Sequence, residues 1–185
     1  MATVESIAQL DEALDGATLW GLELDPRYRV LAATLELVPG SHPWQLPDDD
    51  PRIQLLCSPV STILASFRRV EDGQAQLFVF PVEQLVDVAA TFGGAPLLGT
   101  RFGHPEPRPG SWAPQWSLEG RSSAPDGTAR TVTIAVRQPD GEGRMELDLF
   151  ARFDDVQVND AMGESLATLS AGGPGIGGPG LDLGL

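Results

Sequence analysis

Apolar residues recur at every second position through much of this chain. In TLWGLEL, Trp20, Leu22 and Leu24 alternate with small or polar residues. In RVLAATLEL, Leu31, Ala33, Leu35 and Leu37 do the same, and the DPRY turn lies between. A period of two predicts strands with one buried face, so this pair reads as a β-hairpin. TVTIAVRQ, with Val132, Ile134 and Val136 on one face, and MELDLFARF, with Met145, Leu147, Leu149, Ala151 and Phe153, form a second hairpin around PDGEG. IQLLCSP and STILASFRR read as two short strands broken at Pro59, and AQLFVF and WSLEG read as further strands. DVQV extends the sheet.

The helical period is scarcer. Residues 4–15 carry Val4, Ile7, Ala8 and Leu14 at helical spacing, with Thr3 as a cap and Gly16 as a stop. PVEQLVDVAATFGG has Pro81 at a first helical position and a stripe of Val82, Leu85, Val86 and Ala89. NDAMGESLATL is a candidate third helix, weakened by Gly163. VPGSHPWQLPDDDP holds four prolines in 14 residues and reads as an exposed loop, as does APLLGTRFGHPEPRPGSWAP. The expectation is an α+β, β-rich fold: an antiparallel, hairpin-built sheet or barrel with two or three short helices. One globular domain over 1–169 is followed by a disordered Gly/Pro-rich tail over 170–185.

Two stretches repeat an order of features. Trp20-Gly-Leu-Glu leads to two Arg-headed strands, and Trp116-Ser-Leu-Glu leads to two more. This predicts duplicated β-meander halves, with the proline-rich loop after Leu37 as an insertion into the first.

Composition then narrows the chemistry. The net charge is −14, and all 12 basic residues are arginine. Without lysine there is no P-loop phosphate contact, Schiff base or Ser–Lys pair. An acidic chain is not expected to bind nucleic acid, whose phosphates need a cationic face. A basic protein partner would be attracted. No apolar run approaches the ~18 residues of a membrane span. The N-terminus lacks a basic, then apolar, leader, so a cytoplasmic location is expected.

Cys57 is the single cysteine and shares the inward alternation of Ile53 and Leu55, which suits a small core hydrophobe. His42 and His104, the two histidines, both precede proline in loops. As bases they would need a carboxylate from Asp48, Asp49, Asp50 or Glu106. His104-Pro-Glu106 is similar to the first half of the zinc deaminase signature, but no Pro-Cys-x-x-Cys follows. The adjacent Asp48, Asp49 and Asp50 lack the spaced ligands and glycine of a calcium loop. No catalytic residue, metal site or cofactor is therefore assigned, and the reading leans away from an enzyme. Trp44, Trp112 and Trp116 stand beside prolines, either as binding hot spots or as covers for a barrel end.

The chain closes on GGPGIGGPGLDLGL. Residues 170–180 have too little apolar surface to offset ordering entropy, and Leu181, Leu183 and Leu185 tip the linker. This leucine-tipped tether is similar to the C-terminal cargo peptides of encapsulin shells, without their basic residue. In general type the chain resembles bacterial immunity proteins, which implies an acidic surface that blocks a basic partner. The expected function is thus a non-enzymatic module binding another protein. Its surface would combine His42, Trp44, Asp48, Asp49 and Asp50 with the tail leucines. Two alternatives stand beside it. One is a small-molecule site at a barrel mouth built from His42, His104, Glu106 and tryptophans such as Trp112. The other is a cargo or structural subunit docked by its tail.

Overall fold

The computed structural model describes residues 6–47, 50–103, 118–121 and 130–169, with backbone alone for 118–121. Helix α1 (Ile7–Ala13) and strands β1 (Thr18–Asp25), β2 (Val30–Glu36), β3 (Arg52–Glu71) and β4 (Gln74–Leu77) come first. A 3-10 turn (Val82–Gln84) then leads into α2 (Leu85–Ala90). Strands β5 (Ala95–Phe102), β6 (Leu118–Arg121), β7 (Arg130–Asp140), β8 (Gly143–Asp160) and β9 (Ser165–Leu169) complete the described chain. The architecture is β-rich α+β, antiparallel throughout.

The sheet order is β4-β3-β2-β1-β5-β7-β8-β9, with β6 beside β3. A further pairing of β3 with β8 closes six of these strands into a ring. Apart from β6, the order is symmetric about its centre: α1-β1-β2-β3-β4 matches α2-β5-β7-β8-β9. The halves meet at two seams. At one, the first residues of β1 and β5 pair, Thr18 with Pro96 and Leu19 with Ala95. At the other, β3 and β8 run together from the Ile53–Asp160 pair to the Val70–Arg144 pair. Each helix packs on the opposite half, α1 against β5 and α2 against β1. The repeated order expected from the sequence thus has a structural counterpart, with one correction. The partner of β1 is β5, whereas the WSLEG segment forms β6 and pairs with Thr62–Ala65 of β3.

The inward residues are those the alternation picked out. Leu31, Ala33, Leu35, Ile53, Leu55, Cys57, Val132, Ile134, Val136, Leu147, Leu149 and Phe153 are all buried in one cluster. Helix α1 starts where the Ser6 hydroxyl accepts from the Gln9 amide, and its Leu10 and Ala13 face the core. Leu85 and Ala89 of α2, four residues apart, do likewise.

Several expectations are revised. The two strands proposed around Pro59 are one 20-residue strand, β3. Pro59 falls where β2 has stopped pairing, after Cys57, and β6 has not yet begun, before Thr62. The register against β8 slips at this place, between Val60 and Thr62. Residues 95–102, read as loop, form β5; its alternation was masked by the slip between Leu97 and Thr100, where Gly99 has φ 134°. The candidate third helix is a turn followed by β9, because Asp160 Oδ1 accepts from the Met162 and Glu164 amides. AQLFVF pairs only as Gln74–Leu77. Trp20 does not share the inward face of Leu22. A bulge between Leu19 and Gly21 turns it out, half exposed.

Candidate functional site

The proline-rich loop was the first expected surface. Trp44 lies in the core cluster at 8% exposure, with half-buried His42 stacked near it at 6.0 Å between ring centroids. His42 Nδ1 and Trp44 Nε1 are both buried without a hydrogen-bond partner. Asp50 is engaged by its neighbour: Arg52 Nε donates to Oδ1 at 2.6 Å and Nη2 to Oδ2 at 2.9 Å. That hydrogen bond holds the Asp50 carboxyl below its ordinary range. Asp48, Asp49, His104, Glu106, Trp112, Trp116, Leu181, Leu183 and Leu185 lie outside the described residues, as does the 170–185 segment as a whole. Of the expected surface, the structure therefore brings together His42 and Trp44 only.

Cys57 is buried, and loss of water around it pushes its thiol far above the ordinary cysteine value. It is unsuited to nucleophilic work. Among the described residues no group of three His, Cys, Asp or Glu side chains is placed to hold a metal ion. Among them, too, no helix is long and apolar enough to cross a membrane.

A different surface has the shape of a site. Over the β1–β2–β3 face runs an open groove of about 780 Å³. The alternation builds its floor: residues between the inward ones must face out. Ala32 and Leu56 are such residues and are paired across β2 and β3. Val30 extends the floor, and Val86 of α2 closes one side. The rim carries Glu23 and Asp25 from β1 and Tyr28 from the turn. Asp25 shapes that turn, its Oδ1 accepting from the Arg27 and Tyr28 amides at 2.8 and 3.0 Å. Tyr28 is 63% exposed, and the Arg27 guanidinium sits 5.3 Å from its ring centroid. Sequence reading missed this groove. The available signals were the outward apolar positions Ala32 and Leu56, hidden in strands that looked uniformly hydrophobic.

The other half carries a contrasting constellation. Arg68 Nε donates to Glu146 Oε2 at 2.8 Å, its Nη2 to Asp148 Oδ2 at 2.6 Å, and its Nη1 to Ser66 Oγ at 2.6 Å. Arg137 and Arg144 approach Glu146 Oε1 at 3.0 and 2.6 Å. Burial pushes the Glu146 carboxyl up, but the hydrogen bonds from Arg144 and Arg137 and the charges of Arg68 and Arg137 outweigh it. The carboxyl ends below its ordinary value. Since both carboxylates serve this network, it reads as a fastener between β3, β7 and β8.

Comparison with protein-family models, with curated proteins and with solved structures returned no match for this chain. The site's own chemistry is what bears on function.

Proposed function

We propose that this protein is a non-enzymatic module that binds another protein, with a positively charged partner segment. The observation that carries the reading is the groove: an apolar floor of Val30, Ala32 and Leu56 under a rim bearing Glu23, Asp25 and an exposed tyrosine. Apolar area supplies affinity, and the carboxylates supply orientation and steering in a chain of net charge −14. The test uses the full-length chain as bait in host lysate beside Leu56→Glu and a chain ending at Leu169. A partner identified by mass spectrometry is then purified and titrated calorimetrically. We expect Leu56→Glu to lose the partner at least tenfold, roughly the effect of burying an unpaired carboxylate, and added salt to weaken the wild-type complex. A partner held equally by Leu56→Glu would overturn the groove. A partner lost only with residues 170–185 would place the contact on the leucine-tipped segment, the cargo-like alternative.

The small-molecule reading keeps one favourable observation, the unpartnered His42 Nδ1 and Trp44 Nε1 in one loop. Its test is a thermal-shift screen against metals and metabolites. A stabilising compound whose effect disappears in His42→Ala supports it; one that is indifferent to His42 removes it.

A further inference from the structure

We propose that the groove takes its partner segment as an amphipathic α-helix whose basic flank faces β1. The proposal rests on the protein-binding reading and specifies the partner's form. The strand register gives the floor its dimensions. Glu23, Ala32 and Leu56 stand in one row across β1, β2 and β3. Two strand spacings make that row about 10 Å wide, the width of one helix with its side chains. An extended segment, about 5 Å across, would cover half of it. Along the strands, the outward rows run from the Asp25 and Val30 pair, through Glu23 and Ala32, to Thr34 and Gln54. These rows span about 13 Å, the length of roughly nine helical residues. Helix α2 packs against β1, where its Val86 walls the groove. A partner helix gains a second apolar surface from that wall. Val30, Ala32, Leu56 and Val86 would then meet one stripe of side chains at helical spacing.

Charge selects the occupant and sets its orientation. Carboxylates gather on the β1 side, with Glu23 and Asp25 on the rim. Exposed Glu83 and Asp87 lie one turn before Val86 and next to it in the chain. The β3 side offers Gln54 and, paired with Leu56, Gln157. Glu23 and Asp25 are about 7 Å apart along β1, close to the rise of about 6 Å between helix positions i and i+4. Arginine or lysine at i and i+4 on one flank matches both carboxylates, with uncharged polar residues on the other flank. A second copy of this chain does not fit. Its α1 and α2 turn Leu10, Ala13, Leu85 and Ala89 into their own core. Neither helix carries a basic residue, and the chain has a net charge of −14. The occupant is a basic amphipathic helix of a different protein.

The test is a titration of the full-length ¹⁵N-labelled protein read by amide NMR, with difference circular dichroism for peptide helicity. The probe is acetylated, amidated Ser-Ala-Leu-Arg-Gln-Ala-Leu-Arg-Gln-Ala-Leu-Arg, which sets leucine and arginine on adjacent faces of a helix. Three control peptides replace arginine by glutamate, replace the middle alanine by proline, or rearrange the same residues so that leucine and arginine alternate. We expect amide shifts at residues 23–30, Ala32, Leu56 and Val86, and a gain of helicity on binding. The proline and alternating peptides should bind about tenfold more weakly or worse, since proline breaks a helix interior and alternation splits the apolar stripe. The glutamate peptide should not bind. Glu23→Arg should weaken the probe about threefold, the scale of an exposed ion pair, while keeping the native amide spectrum elsewhere. Equal binding by the proline or alternating peptide, shifts centred elsewhere, or no binding of the probe at millimolar concentration would overturn the helix. So would a glutamate peptide that binds as well as the probe. The lysate result with Leu56→Glu judges the protein-binding reading separately. A native partner that this variant loses, and that contacts the groove through an extended segment, keeps that reading and removes the helix.

Discussion

Two rows of side chains occupy matching places in the two halves, and they have opposite characters. In the first half the row across β2, β3 and β8 is Ala32, Leu56 and Gln157. In the second, the row across β7, β8 and β3 is Arg137, Glu146 and Arg68. The first leaves an open groove over a neutral floor. The second is fastened by three arginines around two carboxylates, and Leu64 and Phe150 nearby on the same outward face are fully buried. One strand plan therefore supports a face given over to stability and a face left free. The charged row accepts a desolvation cost that only its mutual pairing offsets. The neutral row has no such partners, so its apolar atoms are the ones available to another molecule.

The largest test of this contrast is truncation of the two outward apolar residues. Phe150→Ala empties a fully buried ring site and should destabilise the protein by about 3–5 kcal/mol. Leu56→Ala, at a half-buried groove position, should cost about 1 kcal/mol or less. Urea midpoints of the two variants would show the difference directly. Equal losses would mean that the fold depends on the groove floor as much as on the opposite face.

Next in size is the charged row. Glu146→Ala leaves Arg68 facing a gap in a buried network and should cost about 3 kcal/mol. The pH dependence has a definite sign. Because the native Glu146 carboxyl titrates below its ordinary value, its contribution is complete above the unfolded value of about 4.3. As pH falls below that, the unfolded chain takes up the proton first and stability declines toward the native pKa. Urea titrations between about pH 3 and pH 6 should show this decline in wild type and a flatter profile in Glu146→Gln. A matching slope in both would remove Glu146 as its source.

The core face of this protein was legible in its sequence, because period-two alternation survives wherever a strand is regular. Ile53, Leu55 and Cys57 point inward as their spacing predicts. Misreadings cluster at irregularities. The bulge at Trp20 sends an aromatic outward, the slip at Gly99 conceals β5, and Pro59 divides β3 on paper but not in space. Each is a local break in period that tertiary pairing absorbs, which no single-strand pattern can report. The groove was illegible for another reason. Ala32 and Leu56 are ordinary apolar residues until the closing of the ring decides which face is inside. The charged row was hidden similarly, since Arg68 and Glu146 are 78 positions apart along the chain.

The smallest expected effect bears on the bulge that turns Trp20 outward. Trp20 Nε1 donates to Glu36 Oε2 at 2.5 Å, tying the bulge in β1 to the end of β2. Trp20→Phe keeps an aromatic ring but removes the donor. Since both groups are exposed enough to recover water, the loss should be about 0.5–1 kcal/mol, measured by urea unfolding. Amide exchange at Gly21–Asp25 should change little, because the ladder to β2 holds those residues in register. A loss well beyond that range, with faster exchange along β1, would mean that one polar contact pins the bulge. The first half would then resemble the second more than its neutral floor suggests, each depending on a charged anchor. In the second half the anchor seals a face; in the first it would hold a bulge in place.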